Sequence, residues 1–300
     1  MVLLTGATGF LGKFIIRSLT SSDCFVRTLG RGIKNDILCD LSLSIPELKD
    51  DFSCIIHCSG KAHIVPKTTK DEESFFHVNV TGTKNLLKAL ELMRSRPKYF
   101  VFISTVAVYG RVTANLINEE SALLAKDAYG LSKILAERTI QDWCNQHNII
   151  CTVLRLPLLA GSNPPGNLRS MIRGIAKGYY FDIAGGKARK SVVLAEDVAS
   201  IITLVAKIGG IYNLTDRCHP SFSELSESIS NQLGKSKPFN IPLWMAQGLA
   251  RIGDILGKNA PINSNKLVKI TSDLTFDDTK AVESFQWNPT PVLNGFKIQC

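Results

Sequence analysis

The chain has 300 residues and a formal net charge of +9, with 45% hydrophobic and 20% charged residues. These fractions are typical of a globular protein with a sizeable core. No apolar run reaches the roughly 18 uncharged residues that a membrane span needs. The N-terminus turns into glycines before the apolar core of a signal peptide develops. We therefore predict a cytoplasmic protein without stable membrane insertion.

The excess positive charge suits nucleic acid, an anionic membrane surface or a small polyanion. Lysines and arginines are dispersed, and no run of five occurs. This dispersion argues against nucleic acid and favours a phosphate-rich ligand. The eight cysteines form no CxxC pair, which predicts free thiols in a reducing compartment.

Short apolar runs alternate with helical patterns through the first half of the chain. Helices are predicted over residues 10–19, 75–93 and 127–143, the last with Asp127 as N-cap. Strands are predicted over residues 2–4, 24–29, 37–38, 53–57, 99–104 and 149–156. Strands that are apolar on both faces and alternate with helices indicate an α/β fold with a Rossmann-type doubly wound parallel sheet.

The regular alternation of strand and helix patterns ends after Pro157, and a turn-rich loop covers residues 161–167. We predict a dinucleotide-binding domain over 1–156, with a return segment at about 191–212. A smaller substrate-binding α/β domain is predicted over 157–300. The apolar stretch 241–257 predicts a core helix, with a peripheral membrane contact or a dimer face as the alternative.

A glycine-rich loop joins the first strand to the first helix. Gly6, Gly9 and Gly12 are each three residues apart. In such a loop the first glycine permits a tight turn, the second lets the backbone approach a pyrophosphate, and the third lets the helix pack on the strand. The helix N-terminus adds N–H groups and a partial positive charge for phosphates. The loop predicts dinucleotide binding.

Lys133 is four positions after Tyr129, so the two residues lie on one face of a predicted helix. A phenol titrates near pH ~10 and is a poor base at neutral pH. A lysine cation one turn away favours tyrosinate and lowers the phenol pKa. The pair is therefore predicted to transfer protons, although the same spacing alone also occurs on ordinary solvated helices.

Further motifs follow in order: residues 79–83 (NVTGT), 104–110 (STVAVYG), 129–133 (YGLSK) and 154–157 (LRLP). With the glycine loop, they resemble the extended short-chain dehydrogenase/reductase superfamily and its NAD-dependent epimerase/dehydratase family. Within this family, the chain looks most like nucleotide-sugar 4-epimerases and 4-keto-sugar reductases.

The resemblance implies roles for individual residues. Tyr129 exchanges a proton with the sugar, Lys133 also holds the nicotinamide ribose, and Thr105 hydrogen-bonds the reacting oxygen, with Ser104 as the alternative. Substrate contacts are expected from His63, Thr105, Asn167 and Lys190. The expected cofactor-binding residues are Gly6, Thr8, Gly9, Phe10, Leu11, Gly12, Arg27, Arg31, Asp40, Leu41, Cys58, Ser59, Gly60, Asn79, Tyr129 and Lys133.

No metal is expected, because the histidines and cysteines at 54, 57, 58 and 63 lack the spacing of zinc ligands. An NAD-binding loop usually carries an acidic residue at the end of the second strand. No acidic residue lies between Asp23 and Asp36, and Arg27 and Arg31 are present there instead, which favours NADP over NAD. NADP in turn favours reduction of a UDP-4-keto-6-deoxy sugar for surface polysaccharides. Two alternatives remain: a UDP-sugar 4-epimerase that retains NAD, and a non-catalytic NADP-binding scaffold. A homodimer is expected through the helices near 79–93 and 127–143.

Overall fold

The structure is a computed structural model that describes residues 1–62, 64–256 and 262–298. The strands are β1 (Val2–Thr5), β2 (Val26–Gly30), β3 (Ile37–Leu38), β4 (Cys54–His57), β5 (Tyr99–Thr105), β6 (Ala114–Ile117), β7 (Ile150–Leu156), β8 (Leu158–Ala160), β9 (Asp182–Ile183), β10 (Val192–Leu194), β11 (Gly210–Asn213), β12 (Asn240–Ile241) and β13 (Leu274–Phe276).

The helices are α1 (Phe10–Ser21), α2 (Thr69–Phe76), α3 (Gly82–Glu91), α4 (Ala128–Gln146), α5 (Gly166–Ala176), α6 (Ala195–Ser200), α7 (Ile202–Val205), α8 (Phe222–Gln232), α9 (Leu243–Leu256), α10 (Ser264–Thr271), α11 (Thr279–Phe285) and α12 (Val292–Gly295). None of these described helices combines the length and the apolar composition needed to cross a bilayer. The seven cysteines within the described residues are free thiols.

Seven strands form one parallel sheet in the order β3-β2-β1-β4-β5-β7-β11. Successive side chains of each strand point to opposite faces, so each face has its own core. One core packs Leu4, Ile56 and Val101 against α1 and α6, and the other packs Leu3 and Ile55 with residues of α3 and α4. The predicted Rossmann-type fold is confirmed. Its strand order reverses between β1 and β4, where ligands bind in open α/β sheets.

The helix predicted over residues 75–93 is interrupted. Helix α2 ends at Phe76, a π-helical turn covers His77–Thr81, and α3 begins at Gly82. A π-turn adds one residue to a helix and is frequent at functional sites. Apolar periodicity did not reveal this insertion, because buried apolar residues occur on both sides of it, Phe75 before it and Leu86 after it.

The second half of the chain adds three two-stranded parallel sheets, β8 with β10, β9 with β12 and β6 with β13. Within the predicted return segment, Val192–Leu194 pairs with β8, and the strand that joins the main sheet is Gly210–Asn213. The division into two domains remains a prediction.

The prediction of a core helix over 241–257 is wrong for the part that the structure describes. Helix α9 lies on the surface and buries Ala246, Ala250 and Gly253, which are small residues. Its large apolar side chains point outward instead. Residue 257 lies outside the described residues. The sequence pattern indicated an apolar helix correctly but could not tell which of its faces met the protein.

Candidate active site

The loop after β1 is built so that other backbone can approach it closely. Gly6 has φ +73°, and a Cβ added there would lie 2.7 Å from the backbone nitrogen of Ser59. A Cβ at Gly12 would overlap with the carbonyl oxygen of Gly6. Gly9 is the N-cap of α1 and has no side chain that could cap the helix. Because the first N–H groups of a helix have no intrahelical partner, this end of α1 offers donors to an anionic ligand.

We expect Gly12→Ala to weaken binding of the nicotinamide dinucleotide by at least about tenfold, because the overlap forces α1 away from the loop that presents its N–H groups. Calorimetric titration with NADPH measures this effect. Gly248→Ala is the matched control, since a Cβ on this helical glycine meets nothing within 4 Å. Equal cofactor affinity in the two variants would remove Gly12 from the binding loop.

A buried histidine links the glycine loop to the π-turn. The Nδ1 of His57 lies 2.8 Å from Thr5 Oγ1, and its Nε2 lies 3.0 Å from Thr83 Oγ1. The Thr83 hydroxyl donates to the Asn79 carbonyl, so it accepts from Nε2, which carries the proton. Burial, with a smaller contribution from the nearby Lys133 cation, lowers the pKa of His57 to about 3. His57 is therefore a neutral structural link.

Asn79 lies in the π-turn and is fully engaged. Its Oδ1 accepts from the Lys61 N–H at 2.7 Å, while its Nδ2 donates to the Lys61 carbonyl and to Ser132 Oγ, at 3.2 and 2.9 Å. These bonds tie the loop after β4 to α4, one residue before Lys133. Asn79 thus fixes the distance between the predicted cofactor loop and the helix that carries Tyr129.

Strand β5 ends with two hydroxyl residues that point in different directions. Ser104 is buried and donates to Glu137. Thr105 is half-buried, accepts from the Ala107 N–H, and its hydroxyl acts on the Tyr129 phenol by lowering its pKa. Of the two candidates that the sequence offered, Thr105 is the one that the structure brings to Tyr129.

Lys133 is buried beneath the site. Its Nζ donates to the Ile103 carbonyl at 2.7 Å and lies 3.9 Å from the centre of the Phe102 ring. Burial lowers the pKa of Lys133 to about 8, against the opposing effect of Glu137. Lys133 is therefore mostly protonated at neutral pH.

The pKa of Tyr129 differs from the prediction. Burial raises this pKa, the Thr105 side chain lowers it, and the Asp127 carboxylate raises it. Lys133 is not among these causes, although the two residues share a helix face. The Lys133 ammonium group is turned toward β5, and the i to i+4 spacing does not reveal this direction. The phenol is thus held protonated at neutral pH.

A cavity of about 1190 Å³ connects these groups. The glycine loop, the end of β5 and the first turns of α4 line it, together with residues of the second half of the chain. Among its described lining residues only Asp127 is acidic. The cationic ones are Lys61, Arg111, Lys126, Lys133, Lys190 and Lys269. The cavity is therefore suited to an anionic ligand.

Ten of the predicted site residues line this cavity. They are Gly9, Phe10, Leu11, Cys58, Gly60, Thr105, Tyr129, Lys133, Asn167 and Lys190. Gly6, Thr8, Gly12, Ser59 and Asn79 lie in or directly behind the two loops at its floor. His63 lies outside the described residues.

Of the four remaining predicted cofactor residues, all but Arg27 lie near the end of β2. Arg31 follows that strand and lies 3.8 Å from the Asp40 carboxylate, which also accepts from Ser42. Leu41 is buried beside them. Arg27 lies in β2 opposite Leu3, away from the carboxyl end, and pairs with Asp50 at 3.1 Å. The structure therefore does not bring Arg27 to the predicted site.

Four cavity cations were not predicted from the sequence: Lys61, Arg111, Lys126 and Lys269. Lys61 donates to Ser74 and lies over the Phe75 ring. These four residues come from three separate loops and a helix, and no motif connects them. Only the overall net charge of +9 hinted at such a site.

Comparison with known proteins agrees with this geometry. The family described as NAD dependent epimerase/dehydratase matches residues 2–214. UDP-glucose 4-epimerase of Vibrio cholerae is 25% identical over 99% of this chain and 93% of that protein. GDP-6-deoxy-D-mannose reductase of Pseudomonas aeruginosa is 33% identical over 47% of this chain and 46% of that protein.

A solved UDP-glucose 4-epimerase from Stenotrophomonas maltophila, with bound NAD and formylated UDP-arabinopyranose, shares the fold. Its TM-score is 0.75 at 17% identity, over 97% of this chain and 94% of that one. The match over residues 2–214 confirms the resemblance that the motifs indicated. The chain belongs to the NAD-dependent epimerase/dehydratase family and is an enzyme of the short-chain dehydrogenase/reductase type.

Proposed function

We propose that the protein reduces the 4-keto group of a UDP-linked 4-keto-6-deoxy sugar, with NADPH as the reductant, in the synthesis of surface-polysaccharide precursors. The observation that carries this proposal is that the Tyr129 phenol and Thr105 line one cavity, together with cations and the glycine loop.

The residues present fit a nicotinamide dinucleotide. The uncapped N-terminus of α1 and the Gly6 turn suit its pyrophosphate, and Lys133 lines the cavity where the resemblance implies that a nicotinamide ribose is held. Arg31 is exposed at the end of β2, where a guanidinium accommodates a 2′-phosphate. This position of Arg31 supports NADP over NAD.

The state of the Tyr129 phenol favours reduction. A bound nicotinamide dinucleotide supplies the hydride to the carbonyl carbon. The new alcohol also needs a proton on its oxygen, and Tyr129 holds that proton because burial raises its pKa. Thr105 stabilises the charge that develops on the oxygen.

The substrate diphosphate is proposed to lie among the cations that come from the second half of the chain. Lys190 donates to the Ser272 carbonyl at 2.8 Å, and burial lowers its pKa. Lys269 and Asn167 line the same cavity. A diphosphate in this position would offset the cost of burying the Lys190 charge.

A UDP-sugar 4-epimerase that retains NAD is the alternative function, favoured by the 25% identical Vibrio cholerae relative of that name. A non-catalytic scaffold is less well supported, because Thr105, Tyr129 and Lys133 are all present and brought together. A homodimer through α3 and α4 also belongs to the proposal, since Leu131 and Leu135 are exposed on α4.

We expect stoichiometric oxidation of NADPH when the protein is mixed with UDP-4-keto-6-deoxy-N-acetylglucosamine. The loss of NADPH absorbance measures this oxidation. The same assay with NADH is expected to be slower, because Arg31 then has no phosphate to bind. Interconversion of UDP-hexoses without net change of cofactor would instead identify the epimerase.

A further inference from the structure

Helix α9 presents its large side chains to solvent and its small ones to the protein. Its buried residues are Ala246, Ala250 and Gly253, which pack near Leu267 of α10. Ile255 is 86% exposed and Trp244 is 72% exposed. The exposed apolar stripe consists of Trp244, Met245, Leu249, Ile252, Ile255 and Leu256. Soluble monomers rarely expose so continuous an apolar surface, so the stripe indicates a contact.

The exposed side of α9 is itself divided. At 3.6 residues per turn, Gln247, Arg251 and Asp254 fall on one line beside the stripe. Asp254 accepts from the Ser264 N–H and hydroxyl, at 3.0 and 2.5 Å. An apolar stripe bordered by a polar line is the pattern of a helix that lies in the plane of a membrane interface. With 14 residues, α9 is about 21 Å long and too short to span a bilayer.

The chain segment that contains the stripe is rich in basic residues. Residues 235–271 contain one acidic residue, Asp254, and six basic ones: Lys235, Lys237, Arg251, Lys258, Lys266 and Lys269. The chain as a whole has a net charge of +9, so this segment of 37 residues carries more than half of the excess. Clustered lysines and arginines beside an apolar helix complement an anionic lipid surface. A second copy of this chain would instead bring like charges together.

The stripe is also close to the active-site cavity. Helix α9 packs on α10, and Lys269 and Ile270 of α10 line the cavity. Phe239, just before β12 and α9, is exposed and adds an aromatic ring on the same segment. The apolar surface is therefore one helix away from the cations proposed to bind the substrate.

We propose that α9 binds the protein to the surface of an anionic phospholipid bilayer, with the apolar stripe among the lipid chains and the basic residues at the headgroups. This attachment is peripheral and reversible. It does not depend on the sugar that the enzyme uses, so it can fail or hold independently of the proposed reductase activity.

The chain provides its own probe for this contact. Of its three tryptophans, Trp143 and Trp287 are buried, whereas Trp244 lies in the stripe. On addition of phosphatidylglycerol–phosphatidylethanolamine vesicles, we expect the tryptophan emission to shift to shorter wavelength and the protein to sediment with the vesicles. Vesicles of phosphatidylcholine alone are expected to bind at least about tenfold less protein, because they lack anionic headgroups.

The double variant Ile252→Glu/Ile255→Glu keeps Trp244 and is expected to lose both signals, with at least about tenfold weaker vesicle binding. Leu204→Glu, at an exposed position on α7, is the matched control and is expected to bind like the wild type. Turnover of a water-soluble nucleotide sugar should be unchanged in both variants.

Two results would overturn the proposal. One is a wild-type protein whose emission and sedimentation do not respond to anionic vesicles. The other is a dimer in analytical ultracentrifugation that dissociates in the double variant, without vesicle binding, because the stripe would then be covered by a second copy.

Discussion

Replacing Tyr129 by phenylalanine is expected to lower the turnover of the keto-sugar substrate by about 10²–10⁴-fold, the usual contribution of a positioned acid or base. The substitution removes only the hydroxyl, which is the group whose pKa Thr105 lowers. The ring stays packed beside Phe75, at 5.9 Å between centres, so the fold and the cofactor loop are retained. Steady-state kinetics and a cofactor titration on the same preparation measure both effects.

Tyr109→Phe is the matched control for this experiment. Tyr109 is another buried tyrosine near the end of β5, but its hydroxyl donates to Asn213 and accepts from Arg155 rather than meeting Tyr129. Its loss is expected to lower stability with much less effect on turnover. If Tyr129→Phe turned over substrate at a near-normal rate, the proton would have to come from another group, and the proposed mechanism would be abandoned.

Replacing Arg155 by methionine is expected to lower the free energy of unfolding by roughly 3–5 kcal/mol, as expected when one partner of a buried ion pair is removed. Glu137 and Arg155 are 0% and 3% exposed, and their charged atoms lie 2.8 Å apart. Without the guanidinium, the Glu137 carboxylate remains buried with the Ser104 hydroxyl as a hydrogen-bond donor. Urea unfolding followed by circular dichroism measures the change.

The chain contains an exposed ion pair with nearly the same distance between its charged atoms, and this pair serves as the control. Lys237 and Glu227 lie 2.7 Å apart, with about half of each side chain exposed. We expect Lys237→Met to leave the urea midpoint unchanged, because water screens this pair and solvates the remaining carboxylate. Similar losses of stability in the two variants would mean that burial does not decide the strength of the Glu137–Arg155 pair.

The parts of this site that the sequence predicted depend on short-range patterns. Residues 2–4 and 99–104 were predicted as strands, and the structure has Val2–Thr5 and Tyr99–Thr105. Asp127 was predicted as the N-cap of the helix that carries Tyr129, and its side chain accepts from the Gly130 N–H. Caps, glycine loops and apolar runs are written in adjacent residues, so they can be read without a structure.

The parts that were missed depend on residues far apart in the chain. Glu137 and Arg155 meet only because α4 packs on the sheet next to β7, and Arg111 and Lys269 share a cavity across more than half of the sequence. The direction of the Lys133 ammonium and the outward face of α9 were missed for a related reason. Spacing places residues on a helix face, but neighbouring elements decide what that face meets.

The short sheet of β6 and β13 bears on how the enzyme is made. It joins Ala114 to Leu274, and Asn213 hydrogen-bonds the backbone of both Ile117 and Asp277. The cavity wall that carries Arg111 and Lys126 is thus held by chain that leaves the ribosome some 150 residues later. Such distant pairings form late in folding. A nascent chain stalled before residue 274 would contain the strands of the main sheet but have an unfinished catalytic pocket.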